Sequence, residues 1–225
     1  MERNYSKALT VILVIVIVVI LGILGFLGYQ ALNGSDTKKD GQESVEEFKE
    51  DRKAQNKTKD DVKKTQLDLN LVDSNTVQPT PTPTPEGLPQ YKGYDMIGTI
   101  EIPKTKANYP ILLTTSAPAM KVSVTLLYPV NDPYCLNKIG NVVISGHNYR
   151  DGTFFSDNDK LTEGDKFYIT DLSGARLTYR IVSKETLSPE EFSYAASDPE
   201  GKCVVYLSTC TDDVKNRIVI KGVSE

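Results

Sequence analysis

Cys203-Val204-Val205-Tyr206-Leu207-Ser208-Thr209-Cys210, followed after the polar segment Thr211–Asn216 by Arg217-Ile218-Val219-Ile220-Lys221, is the stretch on which the fold turns. Both runs are rich in β-branched and aromatic residues, which suit a pleated, half-buried surface. Alternation along the first run puts Cys203, Val205 and Leu207 on one face and Val204, Tyr206, Ser208 and Cys210 on the other. If Thr211–Asn216 closes a hairpin, Cys210 and Arg217 lie side by side at one end of a sheet. Cys203 and Cys210 face opposite ways and stand about 23 Å apart along a strand, so they cannot form a disulfide with each other. Cys203 reads as a small buried hydrophobe; Cys135 has no evident partner, and a Cys135–Cys203 bridge is left open.

Working back from this hairpin, six more short runs carry the same signature: Met96–Ile102, Tyr109–Leu113, Val122–Leu127, Asn141–Ser145, Lys166–Thr170 and Arg176–Val182, separated by Gly, Pro, Asn and Asp. Eight short strands predict a mainly all-β domain, an eight-stranded closed or nearly closed barrel, over residues 88–225. The mixed pattern of Thr178–Val182 and Arg217–Lys221 fits walls with one wet face. Helix is expected only in connections, around Ala117–Met120 and Pro189–Ala195.

The N-terminal part differs. Residues 8–35 contain no Asp, Glu, Lys or Arg, and Val11–Leu27 is almost wholly Val, Ile, Leu and Gly, long enough to cross a bilayer as a helix. A cleaved signal peptide would have a shorter apolar region. Residues 8–29 are therefore expected to be a transmembrane anchor. Arg3 and Lys7 place residues 1–7 in the cytoplasm and the rest outside. Residues 30–87 are expected to be an extracellular stalk: their charged part holds only scattered apolar residues such as Val45, Phe48 and Val62, and Pro79–Pro85 alternates Pro with Thr as an extended spacer. Ser44 and Glu47 have capping-box spacing, so a solvated helix starting at Val45 is one option, and a helix packed on the following domain is the other.

With 26 basic and 30 acidic side chains the formal charge is −4, which removes the electrostatic footprint of a nucleic-acid binder. One histidine, three cysteines and no CxxC pair leave little for a zinc site. Asp157, Asp159, Glu163 and Asp165 lack the spacing of an oxygen-ligand loop, so neither a metal nor another cofactor is expected. The chemistry concentrates on three side chains. His147 follows the apolar run Asn141–Ser145 and a Gly, just past a strand end, where rigid scaffolds hold reactive groups. Singly, His147 is an ordinary surface residue and Arg217 a surface partner for Asp212 or Asp213. Together with Cys210 they supply a nucleophile, an acid/base and an oxyanion stabiliser, the set that thiol-based acyl transfer needs.

These residues resemble the sortases of Gram-positive bacteria. Ile97–Lys104 is similar to that family's opening strand, Gly140–Asn148 to its histidine segment, and Leu207-Ser208-Thr209-Cys210 with Arg217 to its cysteine and arginine signature. The resemblance implies a membrane-anchored transpeptidase with its catalytic domain outside the cell, acting on secreted proteins that carry a C-terminal sorting motif of LPXTG type. Cys210 would form a thioacyl-enzyme, His147 would manage the protons and Arg217 would hold the oxyanion. The acceptor would be a peptidoglycan precursor or another amine. Asn148, Ser208 and Thr209 are second-tier candidates for shaping the substrate groove. The segment Ser183–Lys202 is short for a class B enzyme, and Asn148 after the histidine occurs in class B and related members, which leaves the class open. A pilin polymerase, a secreted cysteine hydrolase and a non-enzymatic wall-binding module are the competing readings.

Overall fold

A computed structural model describes residues 2–69 and 87–225, with side chains described for 12–25, 36–57 and 87–225. Nine strands follow the N-terminal helix α1 (Glu2–Leu69): β1 (Gln90–Tyr91), β2 (Tyr94–Ile102), β3 (Ala107–Leu112), β4 (Val124–Tyr128), β5 (Gly140–Ser145), β6 (Lys166–Asp171), β7 (Arg176–Leu187), β8 (Cys203–Cys210) and β9 (Arg217–Ser224). They form one sheet in the order β1-β2-β3-β4-β5-β8-β9-β7-β6, and pairing of β2 with β6 closes β2–β9 into an eight-stranded barrel. The two-residue β1 is an appendage on β2. All eight predicted runs are strands; β7 is longer than expected because it continues along β9 as far as Leu187. The short helix α2 (Ala117–Met120) is where it was expected, and the Pro189–Ala195 region contributes only a 3-10 turn at Ser193–Ala196.

Alternation fills the barrel: Ile100, Ile111, Ile144, Phe167, Ile169, Val205, Leu207 and Ile220 pack in its interior. The wet face expected for Arg217–Lys221 is partly dry, with Val219 buried. Val204 and Tyr206, on the outer side of β8, are buried against Val143, Ala195 and Val219, because the 3-10 turn and the Tyr194 ring cover them. β5 and β8 thus lie between two apolar layers, which makes them a rigid base for the residues that follow them.

Within residues 30–87, the segment 36–57 is a helix packed on the following domain, the second of the two options for this part. α1 is helical straight through Ser44, so there is no helix start at Val45. Gly41, Val45, Phe48 and Arg52 form a stripe at helical spacing, which runs along β3 and ends with Arg52 at the Gly174 turn. Val45 is 0% and Phe48 3% exposed, each contributing about 2 kcal/mol by burial. Apolar counting misses the stripe because Gly41 serves by having no side chain: a Cβ there would come within 2.8 Å of the Tyr109 ring. The Arg52 guanidinium lies 5.1 Å over the Phe48 ring. Lys49 bridges to Glu101 at 2.5 Å, Arg176 reaches the same carboxylate, and Lys92 meets Asp40 at 3.0 Å. Glu101 is partly buried, which raises its pKa, but Lys49 and Arg176 outweigh this and hold it below the ordinary carboxylate value.

Of the anchor expected at 8–29, the side chains of 12–25 are described, and the large apolar ones are 47–62% exposed. Among the described residues no helix is long and apolar enough to cross a membrane. The side chains of 8–11 and 26–29, and the Pro79–Pro85 run, lie outside the described residues.

Candidate active site

The site is set by two strand pairings. β8 and β9 are antiparallel with Cys210 opposite Arg217, the hairpin expected from sequence, and the Arg217 guanidinium donates to Cys210 Sγ. β5 and β8 are parallel, with Ser145 opposite Ser208. The ladder continues one step further: Gly146 N–H donates to the Ser208 carbonyl at 3.1 Å. His147 follows in the loop two residues past Ser145, and Cys210 ends β8 two residues past Ser208, so both leave the same end of the parallel pair.

Side chains then fix the two loops to each other. Thr209 Oγ1 donates to the Gly146 carbonyl at 2.7 Å. Asn148 Nδ2 donates to the Cys210 carbonyl at 3.0 Å and to Asp212 Oδ1 at 2.9 Å. Arg150 donates to the Asp212 carbonyl. Gly146 has no room for a side chain: a Cβ would lie 2.8 Å from the Phe155 ring and 3.0 Å from Val124. The second-tier candidates therefore serve the framework. Thr209 and Ser208 are only 2% and 4% exposed, and Asn148 ties the histidine loop to the cysteine loop.

The His147 ring stacks on Tyr149, with centroids 4.9 Å apart at 29°. Tyr149 packs on Phe154 at 5.9 Å and Phe154 on Tyr109 at 5.2 Å, the ring against which Gly41 of α1 is seated. Burial, with the positive charges of Lys121 and Arg217, pulls the His147 pKa below its ordinary 6.5. These influences all favour the neutral form of the imidazole, the form that can accept a proton. Tyr194 stands over the same rim. Burial raises its pKa, while a hydrogen bond with Ser208 and the charge of Arg217 act in the other direction. Tyr149, Arg150 and Tyr194 were not singled out from sequence, and Asp212, named there as a partner for Arg217, accepts instead from Asn148 and Arg150. Tyr149 lies two residues from His147, but nothing in the pattern tells a ring stack from an exposed loop tyrosine.

All three cysteines are free thiols, which closes the open question of a Cys135–Cys203 bridge. Burial pushes Cys135 up to about 12, far from a usable thiolate. Asp157 pairs with Lys160 at 2.9 Å; Asp165 pairs with Lys104 at 2.7 Å and caps Thr162 N at 2.7 Å. Among the described residues no group of three or more His, Cys, Asp or Glu is arranged to hold a metal ion.

Comparison with known proteins agrees with this architecture. The Sortase domain family model matches residues 100–225. Sortase A of Bacillus anthracis is 28% identical over 130 residues, covering 56% of this chain and 59% of that protein, so the match spans less than two thirds of its length. Sortase A of Listeria monocytogenes serovar 1/2a is 26% identical over 172 residues, 76% of this chain and 70% of the relative. The crystal structure of Clostridium perfringens sortase C with its C-terminal cell wall sorting motif superposes with a TM-score of 0.51 at 29% identity, covering 58% of this chain and 71% of that one. With a family model matched over more than half its length, on a barrel whose strand ends carry Cys210, His147 and Arg217 together, the chain belongs to the sortase family.

Proposed function

We propose that the protein is a membrane-anchored cysteine transpeptidase that cleaves an LPXTG-like sorting motif of secreted proteins and passes the acyl group to a cell-wall amine. The observation that carries this reading is the Arg217 guanidinium on Cys210 Sγ, with the His147 loop leaving the same end of the β5–β8 pair. His147, its pKa lowered by burial and by Lys121 and Arg217, takes the thiol proton as Sγ attacks the motif carbonyl carbon. Arg217 is within reach of Sγ and so of the developing oxyanion. Collapse of the tetrahedral intermediate breaks the C–N bond, and His147 hands its proton to the leaving amine. The thioacyl-enzyme is then attacked by an acceptor amine, which loses a proton to His147; the C–S bond breaks and the thiol is restored.

The anchoring part rests on the charge-free sequence of residues 8–35 and the outward-facing apolar side chains of 12–25. A single-pass anchor with residues 1–7 in the cytoplasm puts the barrel outside, and tethering raises the local concentration of other membrane-held reactants. Similarity to sortase A and sortase C proteins alike supports a wall-anchoring and a pilin-polymerising variant of one reaction, which differ in the amine accepted. The test is incubation with a five-residue motif peptide and, as acceptor, either triglycine or a pilin-type lysine peptide. Thiol-dependent ligation product is expected. Product that is hydrolysed whether or not amine is present would make the protein a hydrolase, and an unreacted peptide with a Cys210 inert to alkylation would make it a binding module.

A further inference from the structure

We infer that the lysine-lined cleft between α1 and the β2–β3 turn binds the phosphate of anionic lipid headgroups. This rests on the anchoring reading above. The cleft, about 480 Å³, is bounded by Lys38 and Lys39 of α1, Lys104 and Lys106 of the turn, and Lys160 with Asp157 from the loop before β6. Its carboxylates are few and already engaged: Asp157 pairs with Lys160, and Asp165, behind the wall, pairs with Lys104. Lys38, Lys39 and Lys106 have no carboxylate partner among the described residues. The lining carries five ammonium groups against one carboxylate, in a chain whose total charge is −4. A concave surface lined by one sign of charge attracts counter-ions, here anions.

Position selects the anion. Lys38 and Lys39 are the first basic residues after the uncharged run that ends at Ser35. α1 is one continuous helix through this region, so the nine-residue step from Tyr29 to Lys38 is a rise of about 14 Å, within the headgroup zone and its counter-ion layer. Ammonium groups converging from a helix, a turn and a loop suit a phosphate, whose oxygens point in several directions, better than a planar carboxylate. The Lys106 backbone has a left-handed φ of +58°, which glycine would adopt more readily, yet the position carries a lysine directed at the cleft. Headgroup binding there would fix the roll of the barrel on the bilayer, and with it the height at which Cys210 meets a membrane-held substrate.

The test uses the full chain reconstituted in bilayer nanodiscs, either of phosphatidylcholine alone or with phosphatidylglycerol as about a third of the lipid. Amide hydrogen exchange of the 103–107 turn is the readout. Exchange is expected to slow about tenfold in the anionic discs, as a few lysines at a charged surface should produce, and the effect should vanish in high salt. The double variant Lys39→Gln/Lys106→Gln should exchange as the wild type does in phosphatidylcholine, keep motif-peptide ligation, and lose the response to phosphatidylglycerol. Equal exchange in both discs would overturn the inference while leaving anchoring intact. Protection by free glycerol phosphate in phosphatidylcholine discs, equal to that from the lipid, would overturn it in favour of a soluble phosphate ligand. Release of the chain from both disc types by alkaline carbonate would instead remove the anchoring reading and the headgroup site with it.

Discussion

The rim around Cys210 and the seat of α1 on the barrel are assembled by different means. At the rim, backbone register does the positioning: Cys210 faces Arg217 because β8 and β9 form a hairpin, and the His147 loop leaves the same end as Cys210 because β5 and β8 run parallel in step. At the seat, side chains do it: Val45 and Phe48 fill a shallow apolar surface, Gly41 admits the Tyr109 ring, and Lys49, Glu101, Arg176, Lys92 and Asp40 tie the edges. A ladder is held by many cooperating backbone bonds, so single substitutions at the rim should alter chemistry and leave the fold. A side-chain seat has no such redundancy. The rings of Tyr109, Phe154 and Tyr149 connect one region to the other, ending on His147.

The largest effect expected is at the rim. Cys210→Ala should lower ligation by at least about a thousandfold while the melting temperature stays close to wild type. A variant that keeps full activity would end the assignment of Cys210 as nucleophile. Arg217→Lys comes next: it keeps the charge but loses the planar fork at Sγ, so kcat/KM should fall about a hundredfold with little change in thermal midpoint.

The link between the regions should respond in its pH profile. Low pKa at His147 means that the neutral base persists below pH 6.5, so the acid limb of kcat/KM in wild type lies below that value. Tyr149→Ala opens the imidazole to water and weakens the desolvation that depresses its pKa. The limb should then move up toward 6.5, with activity near neutrality down about fivefold. A loss of rate with an unmoved limb would show that Tyr149 acts only as loop packing. The same shift bears on stability. A histidine with a depressed folded pKa favours the folded state above its unfolded value of about 6.5, and that contribution is lost as pH falls through this range.

The smallest effect is expected at the seat. Glu101→Gln removes the charge shared by Lys49 and Arg176 on a partly exposed group, so the cost should be about 1 kcal/mol, read as faster hydrogen exchange over residues 41–56 with ligation unchanged. In wild type the same contact should weaken as pH drops. The folded pKa of Glu101 is depressed, so its contribution is present above the unfolded value near 4.5 and disappears as pH falls below it. A large loss of ligation in Glu101→Gln would mean that the seat and the rim are coupled more tightly than their separate construction suggests.

Sequence alone determined the strands and the hairpin pairing of Cys210 with Arg217, and it marked His147 as a candidate just past a strand end. These follow from short-range rules: alternation of period two, turn residues between runs, and a reactive residue just past a strand end. Tertiary structure decided the parallel pairing of β5 with β8, the burial of the outer face of β8 and the docking of α1. The parallel pair joins residues some sixty positions apart, and no local pattern encodes which strand becomes the neighbour. The α1 stripe was illegible for a related reason. Gly41 and the stem of Arg52 count as non-hydrophobic in any tally, and only the Tyr109 ring and the Gly174 turn that receive them turn their shapes into contacts.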